Sequence, residues 1–303
     1  MEPIFISEQQ VREVLLYEHL IPALREALEA LSGGRVMQPL RGIIPVAQHN
    51  GWFGIMPAVF GDVMGSKLVT FYPGNIPPLH THQAVIQLFR SSTGEPLACM
   101  DGRVITEMRT AAVSAIALDL LAPRASLVLA ILGSGVQAHS HLAAFRHVRE
   151  LSEVRVWSRT RQNMESFAAD TGAWPFESAE AAVHDADVVL TVTSATEPIL
   201  LGRWLRHDSV VIAVGSVGAN RRELDDDVMR GWVIVESRES AGREAGEVIH
   251  SGAQIYAEIG ELLSGAKTIP ARPVVYKSLG VAVEDIAAAR LVYDSICAEN
   301  VAN

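Results

Sequence analysis

Leu127-Val128-Leu129-Ala130-Ile131-Leu132-Gly133-Ser134-Gly135-Val136-Gln137-Ala138 is the stretch that decides the fold. Six apolar residues read as a strand, two glycines break it, and a helix opens at Val136. The spacing is G-x-G-x-x-A. Gly133 permits the tight turn, Gly135 lets a backbone approach a pyrophosphate, and Ala138 keeps the helix close to the sheet. The helix N-terminus offers N–H groups to phosphate. Gly133, Ser134, Gly135, Val136 and Gln137 are therefore read as dinucleotide contacts. A glycine turn in some other α/β protein is the alternative, and the strand and helix on either side argue against it.

Toward the C-terminus the rhythm is strand, helix, strand, helix. Strands are expected at 127–132, 153–157, 187–192, 209–214 and 232–236, with one more at Val274–Lys277. That alternation predicts a right-handed, mostly parallel sheet. The end of the second strand selects the cofactor. An NAD-type site carries an acid there for the ribose hydroxyl, whereas a 2′-phosphate is met by arginine. The chain reads Val156-Trp157-Ser158-Arg159-Thr160, with Arg161 following and no acid. Ser158, Arg159 and Thr160 are thus read as 2′-phosphate contacts, and the cofactor as NADP(H) in preference to NAD(H). The duller reading makes Arg159 a solvated loop residue.

Toward the N-terminus the pattern differs. Ser7-x-x-Gln10 reads as a capping box, and a second helix runs to about Leu31 and stops at Gly33-Gly34. Strands are expected near Gly54–Phe60, Lys67–Tyr72, Gln83–Phe89 and Leu97–Met100, with a turn at Ser91–Gly94. Thr106 then opens a helix from Met108 to Leu121, closed by Pro123. An amphipathic last helix, Glu284 to Ala298, is expected to return to this first domain. The expectation is an α/β protein: a Rossmann-type doubly wound parallel sheet over 119–282, and an α+β substrate-binding domain from 1–118 and 283–303.

Bulk properties set limits. A chain of 303 residues exceeds what one core usually holds. Apolar residues at 49% and charged residues at 20% exclude a disordered chain. A net charge of −10 argues against a nucleic-acid surface, though a local anion pocket barely changes such a total. Two isolated cysteines, Cys99 and Cys297, give neither a disulfide framework nor a zinc spacing. The start MEPIFISEQQ is unlike a secretory signal, and no apolar run approaches the roughly 20 residues of a membrane span. A cytoplasmic protein without membrane or nucleic-acid partners is expected.

Three cations stand out. Arg41 lies in Gln38-Pro39-Leu40-Arg41, flanked by apolar residues. Lys67 begins Lys67-Leu68-Val69-Thr70-Phe71, alternating with Val69 and Phe71, so it shares their face. A lysine there either sits beside an anionic ligand or snorkels out at the strand end. Arg109 falls in the first turn of its expected helix, where the macrodipole disfavours a cation. Either a bound anion shares the helix N-terminus with it, or Glu107 or another nearby acid pairs with it. His80 and His82 form an H-x-H pair without a third metal ligand at a telling spacing, so a loop beside a site, or a surface pair, is read and no metal is expected. His139 and His141 read as ordinary helix residues, with a cofactor contact from one of them as the alternative.

Seven segments then occur in order: Met37-Gln38-Pro39-Leu40-Arg41, Lys67-Leu68-Val69-Thr70-Phe71, Met100-Asp101-Gly102, Arg109-Thr110-Ala111-Ala112, the Gly133 loop, Glu223-Leu224-Asp225 and Lys277-Ser278-Leu279-Gly280. Together they resemble the ornithine cyclodeaminase/mu-crystallin family over nearly the whole chain. Within it, Thr191-Val192-Thr193, Ala195 to Leu200 and Ser251-Gly252-Ala253 look most like its NADPH-dependent ketimine reductases. The resemblance implies a homodimer, built through the N-terminal domain. It implies that Arg41, Lys67 and Arg109 line a substrate carboxylate pocket, with Lys67 catalytic and with Met56, Phe71, His82 and Val217 shaping it. It adds Thr193, Val217, Ser278 and Gly280 to the cofactor contacts.

The departures bear on the reaction. Cyclodeaminases carry an acid two residues before the Met-Pro pair, where this chain has Gly54. They carry an aspartate, taken as base, where Val217 stands here. They end the second strand with acids, in place of Ser158-Arg159-Thr160. These departures point to reduction of a cyclic ketimine carboxylate, such as Δ1-pyrroline-2-carboxylate or Δ1-piperideine-2-carboxylate, to the imino acid. An ornithine cyclodeaminase or amino-acid dehydrogenase, or a non-catalytic binding protein, are the alternatives the family offers.

Overall fold

The computed structural model describes residues 2–122 and 126–302, so the helix stop expected at Pro123 lies outside it. Two compact units divide the chain: Met1–Arg109 with Gly280–Asn303, and Thr110–Leu279. The boundaries precede the expected 118/119 and 282/283. The first falls inside one continuous helix, Arg103–Leu121, where no turn residue could signal it.

The first unit is α+β. Its helices Glu8–Val14 and Tyr17–Ser32 begin at the expected capping box and end at Gly33. Its strands are β1 (Ile4–Ile6), β2 (Val36–Met37), β3 (Gly42–Val46), β4 (Gly51–Phe60), β5 (Val63–Phe71), β6 (His82–Arg90) and β7 (Pro96–Asp101). The sheet order is β1-β7-β6-β5-β4-β2, with β3 also on β4. Only the β1–β7 pair is parallel among these described strands. The C-terminal helix, Ala282–Ala302, packs on β4, β5, β6 and the helix Tyr17–Ser32. Register sets the rows beneath it. Met56, Lys67, Ile86 and Met100 stand side by side across β4, β5, β6 and β7, and all four are buried. Directly opposed residues share a face, so Lys67 is placed among core side chains. Gly65 belongs to the next row, and a Cβ there would come within 2.9 Å of Ile286 on the C-terminal helix.

Two local expectations are corrected here. Lys67 is the fifth residue of β5 rather than its first, so no strand end is at hand for snorkelling. The helix after β7 starts at Arg103 rather than at Thr106. Asp101 caps it, accepting from the Val104 N–H at 3.0 Å, while the Thr106 hydroxyl bonds back to the Gly102 carbonyl at 2.7 Å. Asp101 is a good N-cap residue; the hydroxyl that suggested a start is an internal back-bond. Arg109 therefore lies in the second turn, and the helix-terminus argument for an anion beside it lapses.

The second unit is a doubly wound parallel sheet. Its strands are β8 (Ser126–Leu132), β9 (Glu150–Trp157), β10 (Trp174–Pro175), β11 (Val188–Thr191), β12 (Val210–Ala213), β13 (Trp232–Val235), β14 (Ile255–Glu258) and β15 (Val274–Lys277). Their order is β10-β9-β8-β11-β12-β15-β13-β14, every pair parallel. β10 and β14 were not expected: β10 has two residues, and β14 is a partly exposed edge strand without the continuous apolar run of the central strands. Central strands β11, β12 and β15 are buried at every position, which is why they read as continuous apolar runs. Strand order reverses between β8 and β11, the switch point where such sheets bind ligands at their carboxyl edge.

Candidate active site

In the second unit the site begins at β8. Gly133 has φ +120°, and a Cβ on it would lie 2.8 Å from the Val192 carbonyl oxygen. Only glycine fits that turn. Gly135 has open space where a side chain would be and is the N-cap of the helix Val136–Val148, which no side chain caps. An uncovered helix N-terminus behind an open glycine suits a phosphate. The Gln137 Oε1 is buried there without a hydrogen-bond partner. Gly133→Ala is expected to lower stability by about 1–3 kcal/mol through backbone strain, read from urea unfolding, and to weaken dinucleotide binding in a fluorescence titration.

At the end of β9, Ser158 is half-buried while Arg159 and Thr160 are exposed. Thr160 caps the helix Arg161–Thr171 without a side-chain bond. Arg161 is paired with Glu165 at 2.7 Å, whereas no carboxylate among the described residues is paired with Arg159. The two helix histidines serve the fold. His141 is fully buried, with Nδ1 2.7 Å from the Gln137 carbonyl and Nε2 2.9 Å from Ser114 Oγ. His139 lies against the Phe167 ring at 4.6 Å.

Further along the carboxyl edge, Thr193 gives both its N–H and its hydroxyl to Glu223 at 2.7 Å. Val217 packs half-buried on the apolar core of this unit. Ser278, expected as a cofactor contact, is 1% exposed, and its hydroxyl donates to Glu236 at 2.7 Å. Sequence reading singled out neither Glu236 nor Glu247, and it met Glu223 and Lys277 only within motifs; all four are buried.

In the first unit the three cations converge. Lys67, 2% exposed, donates to Asp285 at 2.9 Å. Arg109, 5% exposed, donates through Nε to Asp285 at 3.0 Å and through Nη1 to Glu284 at 2.5 Å. Arg41 is half-buried and donates to the Gly280 carbonyl at 2.7 Å. Glu107, the partner weighed for Arg109, is bonded to Arg103 instead. Gly280, expected with the cofactor, is grouped in this unit; at φ +71° any Cβ would overlap the Arg109 guanidinium. Both acids lie in the first turn of the C-terminal helix, where the macrodipole favours carboxylates. Adjacent Glu-Asp in an apolar surround, Val281-Ala282-Val283-Glu284-Asp285-Ile286, was the available signal for them.

Lys67, Arg109, Glu284 and Asp285 form one buried ion network, with Arg41 at its edge. Burial pulls the Lys67 ammonium down from 10.5 to about 8, opposed by Asp285 and reinforced by Arg109 and Arg41. His82 lies tilted against Phe71 with ring centroids 4.5 Å apart, and its pKa is lowered by desolvation and by Lys67. Met56 stands opposite Lys67 at 3% exposure. His80 joins no cluster: among the described residues no three His, Cys, Asp or Glu side chains gather as a metal site. No helix among them is long and apolar enough to cross a membrane.

Known proteins resemble the chain over nearly its whole length. The mouse protein named ketimine reductase mu-crystallin is 49% identical over 304 residues, 97% of each chain. A solved structure of Thermococcus litoralis Δ1-pyrroline-2-carboxylate reductase, in complex with NADH and L-proline, superposes with TM-score 0.92 at 32% identity, covering 98% of each chain. An archaeal alanine dehydrogenase dimer with bound NAD gives TM-score 0.92 at 28% identity, covering 99% of this chain and 98% of that one. The model of one family matches residues 1–300, and on that match and the 49% identity the chain belongs to the ornithine cyclodeaminase/mu-crystallin family.

Proposed function

We propose that the protein is an oxidoreductase that reduces a cyclic ketimine carboxylate, Δ1-pyrroline-2-carboxylate or Δ1-piperideine-2-carboxylate, to the cyclic imino acid with NADPH. The observation that carries this reading is the convergence of Lys67 and Arg109 on the buried Asp285, with Arg41 beside them on the Gly280 carbonyl. Two further features favour reduction over deamination. Trp52 and Val69 side-chain atoms lie 3.0 Å from where a Cβ on Gly54 would stand, so an acid there would have to push them aside. Val217 stands in the loop where cyclodeaminases place their base, and it carries no proton to exchange.

The chemistry assigned to each residue follows from its surroundings. A reduced nicotinamide dinucleotide supplies the hydride when bound. Gly133, Ser134, Gly135, Val136 and Gln137 hold its pyrophosphate, while Ser158, Arg159 and Thr160 meet the 2′-phosphate. Arg41 and the Arg109 charge hold the substrate carboxylate, fixing the orientation of the C=N bond. Lys67 places a proton on the imine nitrogen. The carbon accepts hydride only as part of an iminium, so this proton gates the step. Asp285 keeps Lys67 aimed and cationic.

Reduced-nicotinamide absorbance, followed with cyclic ketimine carboxylates, linear keto acids plus amines, and L-ornithine, tests the reading. Oxidation of NADPH by the cyclic imines is expected. Ammonia release from ornithine without net cofactor use would establish a cyclodeaminase instead. Arg159→Ala should raise KM for NADPH by about tenfold, the worth of one charge-assisted contact, and leave KM for NADH in place.

The assembly proposed is a homodimer through the first unit. Its support is a groove of about 850 Å³ on the sheet face away from Lys67, lined by Met37, Pro57, Val59, Met64 and Phe89. Val59→Glu should turn a dimer into a monomer in light scattering after size-exclusion chromatography; an unchanged mass would place the contact elsewhere.

A further inference from the structure

The carboxyl edge of the parallel sheet holds a buried acid that the reaction does not use. Glu223 is fully buried, and its carboxylate receives four hydrogen bonds. Oε1 accepts from the Thr193 N–H and hydroxyl, each at 2.7 Å; Oε2 accepts from the Thr191 hydroxyl and the Gly215 N–H, each at 2.8 Å. Backbone N–H groups only donate, so each oxygen is an acceptor, and the four sites of an ionised carboxylate are filled. Burial works the other way, raising the pKa, and the charge of Lys277 opposes that rise.

These donors come from two different loops. Thr191 ends β11 and leads to Thr193, while Gly215 follows β12. The loops are as close as backbones can be, since a Cβ on Gly215 would overlap the Thr193 backbone. Their approach is fixed from below as well: Lys277, fully buried at the end of β15, donates to the Ser216 carbonyl at 2.6 Å and lies 3.5 Å from Glu247. Glu247 in turn accepts from the Glu223 N–H at 3.0 Å. The Glu223 carbonyl accepts from Ile199 and Leu200 at 2.8 and 3.0 Å, so the segment bearing it is held at both faces. Both loops emerge next to the β8/β11 switch point, where a dinucleotide lies across the strand ends.

We propose that Glu223 is a positioning residue for the cofactor: by tying the loop after β11 to the loop after β12 it sets the seat of the nicotinamide half of the dinucleotide. This rests on the dinucleotide reading above. The carboxylate acts through the loops and touches neither substrate nor cofactor.

Glu223→Gln keeps the shape but sets an NH₂ against a backbone N–H, of Thr193 or of Gly215, that can only donate, which parts one loop from the other. Dinucleotide titration by protein fluorescence, KM for the imine and thermal melting are measured on the whole protein. Val183→Ala, a core change elsewhere in the same unit, is the stability control. The expected result is a dinucleotide Kd raised on the order of tenfold in Glu223→Gln, with imine KM within about twofold and Val183→Ala unmoved in both. Should Glu223→Gln not fold, the Thr191 pair decides: Thr191→Val loses the hydroxyl and should weaken dinucleotide binding, while Thr191→Ser restores it. Dinucleotide affinities equal to that of Val183→Ala would overturn the proposal and leave the functional reading standing. Wild-type protein that binds no dinucleotide would remove both.

Discussion

Lys67→Met is expected to bind NADPH as the wild type does and to turn over about 10²- to 10⁴-fold more slowly, the range a positioned proton donor contributes. The variant should fold. Methionine is close to lysine in length and enters a row already made of Met56, Ile86 and Met100. Asp285 is not orphaned, because Arg109 Nε remains 3.0 Å from it. Steady-state rates with a saturating cyclic imine, together with a dinucleotide titration, check both halves. Wild-type turnover in Lys67→Met would take Lys67 out of the mechanism.

The same assignment fixes a pH dependence. Lys67 must be protonated to give a proton, and it is held near about 8 in place of 10.5. Activity should therefore decline as pH rises through about 8, and the decline should vanish in Lys67→Met, whose residual rate no longer tracks that group. Asp285 works to raise the Lys67 pKa, so Asp285→Asn should move the alkaline limb to lower pH. A limb that stays in place would mean that another group sets it.

Gly280→Ala carries the largest expected loss of stability. A Cβ at φ +71° is strained, and here it also overlaps the guanidinium of Arg109. That guanidinium is the link between Glu284 and Asp285, both fully buried. Pushing it aside leaves carboxylates in the interior without their full complement of donors, which costs about 3–5 kcal/mol. Arg41, whose Nη2 is held at 2.7 Å by the Gly280 carbonyl, moves with it, so carboxylate affinity should fall as well. Gly94→Ala separates strain from overlap: it has φ +72° in a hairpin turn with nothing within 4 Å of a Cβ. Urea unfolding should show a loss several-fold greater at Gly280. Equal losses at the two positions would reduce the Gly280 effect to backbone strain.

Legibility in the sequence followed the range of the interactions. The Gly133 turn could be read because each requirement falls on a close neighbour: the apolar strand before, the open Gly135, the small Ala138 after. The strands β4 to β7 were legible in place, and their ends moved by a few residues. Lys67 shows the limit. Its alternation with Val69 told which face it shares, but the sequence put it at a strand end, and only the register against Met56 and Ile86 shows it enclosed. Arg109 shows it more plainly: its helix start was misjudged by about one turn, and its partners were sought at Glu107 when they lie at Glu284 and Asp285.

What the sequence determined by itself is therefore the class of the fold, the turn at Gly133 and the cations available to meet an anion. The tertiary structure decided which charges meet. Lys67 and Asp285 are separated by 218 residues, and Arg109 and Glu284 by 175. A buried ion must find its counterion wherever the chain delivers one, because desolvation leaves no choice. Backbone turns are dictated locally, by sterics within a few bonds; charge pairing in a core is dictated by topology.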